Sequence, residues 1–270
     1  MAMENGRPEL EPSALEPTSA GTAPVAVAPP LTPAWGFWPT LGFSLMIGIV
    51  NGIASVLAVF LVLDVAILSD PNFSWSDYVF SGFDTDFGAV FAASVLLSGA
   101  VSLALIGALI KARHGAAIKE YLGVKPLPLR TMAGLIALTL GLVVVNEIIN
   151  TFRHLPEDAA GAGDLFGGVG LIFVWLAVVG MAPLFEEVMF RGFMFQGFLR
   201  TRLGPSLAII LPAVWWGLLH AQYGGFDKLV IVALGVVFAV VRLRTGSLWG
   251  PLAMHATWNL VAMIQFSLAS

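Results

Sequence analysis

The chain has 270 residues, 58% of them hydrophobic and 11% charged, with a formal net charge of −4 and a mean hydropathy of +0.88. Soluble domains carry roughly 25% charged residues, so this composition excludes an ordinary water-soluble domain and implies a polytopic, all-α transmembrane helical bundle. There is no basic patch with interleaved aromatics of the kind that binds nucleic acid, and without cysteine there is no disulfide, thiolate metal site or Cys nucleophile.

Residues 1–34 are rich in Pro, Ala, Glu and Thr and nearly free of large apolar side chains, which predicts a disordered tail. No short apolar h-region with a cleavage site opens the chain, so no removable signal peptide is expected. Trp35, Phe37 and Trp38 read as an interfacial belt at the start of a transmembrane domain covering 35–270. Within it the apolar runs predict spans at about 40–68, 88–110, 132–150, 168–190, 205–221, 228–242 and 247–268, seven in all, with an eighth as the alternative.

Placing the N-terminus in the cytoplasm puts Arg7, Lys111, Arg113, Lys119, Lys125, Arg130, Arg191, Arg200, Arg202, Arg242 and Arg244 on the inside. Only Arg153 and Lys228 of the 13 Lys and Arg then fall outside, where Asp70, Asp77, Asp84, Asp86, Glu157, Asp158 and Asp164 gather. A Lys/Arg bias of this kind sets membrane orientation, and the acids add little to it.

Polar residues inside apolar spans are few. Asp64, Asn146 and Glu147 lie near helix ends and read as solvated; Asn51 reads as a helix–helix hydrogen bond. The remainder concentrate late in the chain. Met181-Ala-Pro-Leu-Phe-Glu186-Glu187-Val-Met-Phe-Arg191-Gly192 sets two carboxylates and a guanidinium in one of the most apolar stretches. If Pro183 begins a helix, Glu187 and Arg191 are four apart and share a face, as a structural ion pair or as part of a site. Trp216-Gly-Leu-Leu-His220 ends a span, and His255-Ala-Thr-Trp-Asn259 puts an imidazole and an amide on one face. Together these are the parts of a hydrolytic site: Glu as general base on water, imidazole and amide to orient water and stabilise an oxyanion.

Leu203-Gly204-Pro205 predicts a tight turn. With 184–203 and 205–220 as a helical hairpin, Glu187 and His220 lie level, roughly 25 Å from that turn, while His255 and Asn259 fall roughly 14–20 Å past Gly246. A crossing that ends near Arg191 does not fit this hairpin. A helix kinked at Gly180 and Pro183, with part of 168–203 running obliquely, reconciles the two.

These three motifs, in this order, resemble the CPBP intramembrane proteases, which include the type II CAAX prenyl endopeptidases and bacterial bacteriocin-processing or self-immunity proteins. The pattern is Glu186-Glu187-x-x-x-Arg191, an aromatic four before His220, and His255-x-x-x-Asn259, with Trp216 standing where Phe is usual. The resemblance covers about 168–268 as a catalytic core. It implies an endopeptidase with its site in the membrane, cleaving a membrane-embedded, CAAX-like substrate, in which Glu186 and His220 activate water and His255 with Asn259 hold the oxyanion. Glu187 and Arg191 would orient the site. Glu186, His220 and His255 would be the ligands if zinc is used, but the His-Glu-x-x-His helix of zinc proteases is missing, which favours metal-free, glutamate-activated water. The Ala-, Gly- and Val-rich, Lys-poor composition suits a bacterial plasma-membrane protein. The competing readings are a proton-coupled transporter and a catalytically inactive scaffold or immunity protein.

Overall fold

The structure, a computed structural model, describes residues 33–69, 87–113, 115–153 and 170–269. They form helices and short connections, with no strand among the described residues. In chain order these are α1 (Phe37–Ser69), α2 (Phe87–Ala112), the short α3 (Ile118–Leu122), α4 (Leu129–Arg153), α5 (residues 170–199), α6 (Gly204–Leu219), α7 (Gly225–Thr245) and α8 (Trp249–Ala269). The N-terminal tail to residue 32, Arg7 and all seven outer-loop acids lie outside the described residues.

Each apolar segment expected from the sequence falls on one long helix, except that the fourth does not stop near residue 190. Length and apolarity together qualify four helices to cross a membrane: Phe37–Val62, Gly88–Ala112, Leu129–Arg153 and Leu171–Leu199. α6 is apolar but only 16 residues long. α7 carries Asp227, Lys228, Arg242 and Arg244, so the expected count of seven is not reached on apolarity alone. Large apolar side chains such as Ile49, Leu57, Phe60, Val144, Ile148 and Leu218 point outward, a surface suited to hydrocarbon and not to water. The chain is an integral membrane protein.

Hydrogen bonds sort the helix ends into two groups. At one end the Trp35 indole donates to the Leu109 carbonyl and Arg113 Nε to that of Ala34, both at 3.2 Å. There too the Leu248 amide donates to the Gly123 carbonyl at 2.8 Å, and the Ser247 hydroxyl to that of Lys125. At the other end Arg153 pairs with Asp227 at 2.6 Å and lies 4.1 Å from the Phe226 ring. The start of α1, the end of α2, the start of α4 and the α7–α8 turn therefore share one side, as helices of alternating direction require. Of the expected aromatic belt, only Trp38 faces out; Trp35 packs edge-on against Phe43 and Phe37 against Phe198.

α1 packs along α2 and α6 along α7, α8 lies against α4, and α5 threads between α2, α6 and α8. α5 is one rod of alternating α- and π-turns, widened at Leu176–Met181 and again at Val188–Met194. The first widening has a local cause. Pro183 has no N–H, and its ring collides with the carbonyl four residues back in a regular α-helix. A wider turn just before it removes the clash, and the Ala182 amide reaches back five residues to the Ala177 carbonyl. The break expected at Gly180 and Pro183 is thus a π-turn. The crossing and the hairpin arm are a single helix. The hairpin closes at Gly204, whose φ of +45° is costly for other residues, with Pro205 in the first turn of α6.

Candidate active site

The two adjacent glutamates take different environments because neighbouring positions on a helix point about 100° apart. Glu187 turns inward and is fully buried; the Glu186 side chain keeps 23% of its surface accessible. Glu187 Oε1 accepts two hydrogen bonds of 2.9 Å, from Arg191 Nη1 one turn on and from His255 Nδ1 on α8. The same guanidinium donates through Nη2 to the Gly235 carbonyl on α7 at 3.2 Å and lies 4.6 Å from the Trp216 ring centre and 5.4 Å from that of Phe238. A Cβ at Gly235 would come within 3.0 Å of Ala213 and 3.2 Å of Arg191 Nη2, so glycine is what lets α6 and α7 close over the guanidinium. Glu187 and Arg191 are therefore a clamp joining α5, α7 and α8. The expected i, i+4 pair is present, and neither member is open to a reactant.

Glu186 faces different partners. The Trp216 indole N–H donates to Glu186 Oε2, and His255 Nε2 lies 3.9 Å from the same oxygen. Because His255 Nδ1 donates to the Glu187 carboxylate, Nε2 is the nitrogen free to face Glu186. At 3.9 Å the pair is too far apart for a direct hydrogen bond and close enough for one water to touch both. Glu186 and Trp216 are 30 residues apart in sequence and meet across the hairpin, so the partner of Glu186 on α6 lies one turn nearer Gly204 than His220, the residue expected level with Glu187.

His220 stands at the end of α6. Its Nδ1 lies 2.8 Å from the Trp216 carbonyl, which can only accept, so Nδ1 carries the proton and Nε2 is left outward. The Trp216 ring contacts both imidazoles edge-on, with centroid distances of 5.2 Å to His220 and to His255. The imidazole paired with the glutamates is thus that of His255. No carboxylate lies within ion-pair distance of His220 among the described residues.

Asn259 also has a definite partner. Its amide donates to the Val178 carbonyl at 2.8 Å. That carbonyl sits in the first π-turn, where the register would pair it with the amide of residue 183, and residue 183 is proline. Asn259 supplies the missing donor and leaves its second amide hydrogen for other use. Asp64 and Glu147 are exposed, as expected for solvated ends, and Asn51 donates to the Ser102 hydroxyl on α2 at 3.1 Å, the expected helix–helix bond.

Residues 168–261 match the family model "Type II CAAX prenyl endopeptidase Rce1-like". The matched stretch contains every member of the cluster and none of α1 to α4. A Bacillus subtilis (strain 168) protein named "Putative membrane peptidase YdiL" is 30% identical over 108 residues, 40% of this chain. The alignment spans 42% of that relative's length, so the likeness is to a part of each protein. No solved structure matches.

Two residues carry more than the sequence pattern signals. The indole N–H of Trp216, at the aromatic position of the motif, binds the accessible glutamate, which phenylalanine cannot do; a polar-tipped aromatic one turn before a histidine is the available signal. Arg242 was counted as a loop charge, but it is 3% exposed and donates to the carbonyls of Arg191 and Leu122 at 3.0 and 3.2 Å, fastening the second π-turn to α3. No carboxylate in the sequence pattern marked it. Among the described residues no three His, Cys, Asp or Glu side chains are grouped as a metal site needs.

Proposed function

We propose that the protein is an intramembrane endopeptidase that hydrolyses a peptide bond of a membrane-associated, CAAX-like substrate with water activated by Glu186. The observation that carries this reading is the division between the glutamates: one carboxylate locked in a buried clamp, its neighbour accessible and aimed at an imidazole 3.9 Å away. The Rce1-like match over 168–261 supports the same reaction class.

In this mechanism a water held between Glu186 Oε2 and His255 Nε2 gives a proton to Glu186 as its oxygen adds to the substrate carbonyl carbon. Charge moves to the carbonyl oxygen. The C–N bond then breaks, and Glu186 returns the proton to the departing amine. The free amide hydrogen of Asn259 is the donor suited to the oxyanion, and His220, with Nε2 outward, lines the approach of the substrate. Trp216 fixes the Glu186 carboxylate, and Glu187 fixes the His255 tautomer. The chemistry needs no metal. We place the N-terminus in the cytoplasm of a bacterial plasma membrane, with all seven long helices crossing, because the basic residues of the described chain gather at the end of the bundle that holds the start of α1.

The test is purified protein in detergent with a peptide and lipidated-peptide library, with and without a strong zinc chelator. Cleavage that survives the chelator supports the proposal. Cleavage abolished by the chelator and restored by zinc contradicts the metal-free mechanism, and ion-coupled uptake into liposomes without cleavage favours a transporter.

A further inference from the structure

Beside Glu186, α1, α2 and α5 line a partly open cavity of about 150 Å³ formed by Asn51, Ser55, Val95, Ser98, Met181, Ala182, Phe185 and Glu186. Three features set it apart. First, Glu186, the accessible member of the pair, is one of its lining residues, so whatever fills it lies beside the proposed base. Second, one wall is polar: Asn51, Ser55 and Ser98 sit mid-helix in α1 and α2, which are otherwise almost wholly apolar and where polar side chains are few. Third, Met181 and Ala182 stand at the first π-turn, a distortion that often accompanies functional positions.

The size bounds what the cavity can hold. A cavity of about 150 Å³ admits roughly one benzene ring, which is one mid-sized side chain and far less than a prenyl chain. The lining holds no Lys or Arg, and its single charge is Glu186, so a charged substrate side chain has no counter-ion other than the catalytic base. We infer that this cavity is the specificity pocket for one uncharged side chain of valine to phenylalanine size next to the scissile bond, with α1 and α2 supplying its selective wall. The inference rests on the endopeptidase reading and goes beyond it in naming residues outside the matched stretch. Any lipid on the substrate lies elsewhere.

Ser55→Phe should fill the pocket, with Leu57→Phe on the outward face of the same helix as control. Against a library varied on both sides of the cleaved bond, Ser55→Phe should shift the preference at one position by about 10-fold or more towards Gly and Ala, as pocket-size changes do. Leu57→Phe should leave the profile unaltered. In parallel, a peptide with a photoreactive diazirine at that position, bound to the Glu186→Gln protein, should label Asn51, Ser55, Val95 or Ser98. An unshifted profile, or labelling confined to α6–α8, overturns the pocket while leaving the protease standing. A wild-type protein that cleaves no library peptide overturns the protease reading and the pocket together.

Discussion

Removing Arg191 should damage stability far more than its single charge suggests, and removing Glu187 with it should repair much of the loss. Glu187 and Arg191 are 0% and 1% exposed, so in Arg191→Met the Glu187 carboxylate stays buried with only His255 to balance it. Breaking one partner of a buried pair costs about 3–5 kcal/mol. At about 2–4 °C per kcal/mol for a chain of this size, that is a fall in apparent Tm of roughly 6–20 °C. The double variant Glu187→Leu, Arg191→Met removes both charges, and such replacements are often neutral or stabilising. Against that stands about 1–3 kcal/mol for leaving His255 Nδ1 without an acceptor. The double variant should therefore melt closer to the wild type than Arg191→Met does, while being catalytically poor because His255 is no longer oriented. The measurement is thermal unfolding of the wild type, the single variants Arg191→Met and Glu187→Leu, and the double variant in one detergent. Additive losses, or an Arg191→Met Tm within about 2 °C of wild type, would refute the clamp.

Trp216→Phe keeps the ring between the two imidazoles but deletes the donor to Glu186; turnover should drop about 10- to 100-fold with little change in Tm, and unchanged turnover would remove Trp216 from the site. Asn259→Leu should cost about 1–3 kcal/mol by orphaning the Val178 carbonyl, and adding Pro183→Ala should restore part of it by supplying an amide at residue 183; a further loss would contradict the π-register account. Tyr121, on α3 outside the spans, is fully buried against Phe193, and burial pushes its hydroxyl from 10.0 to about 12 against the opposing pull of the Trp35 backbone and of Arg200 and Arg113. Between those values the unfolded chain releases a proton that the folded chain retains, so stability should fall as pH rises from 10 to 12, by roughly 2–3 kcal/mol; Tyr121→Phe should lack this component, and an identical alkaline profile would contradict it.

What could be read before the structure follows from how local each signal is. Helix positions were legible because apolar runs are continuous along the chain. The Glu187–Arg191 pair was legible because i, i+4 spacing is a property of a single helix, and the meeting of α5 with α6 followed from counting residues either side of Gly204. Which imidazole lies nearer Glu186 was not legible: whether it is His220 or His255 depends on how α6 and α8 rotate against α5. That rotation is set partly by two π-turns that no periodicity reveals. Asn259 was assigned to an oxyanion, but it first answers a carbonyl that Pro183 leaves unpaired, a requirement visible only once the helical register is known. Arg242 was placed by its position near a span end, and only the packing of α3 under α7 shows that it is enclosed.

The account turns most directly on Glu186. Wild-type and Glu186→Gln proteins of matched Tm should be compared for cleavage of the best library peptide. Glutamine keeps an oxygen for the Trp216 indole but has no base to take the proton, so the rate should fall by about 10²–10⁴-fold with folding intact. Equal rates from the two proteins would place the chemistry elsewhere.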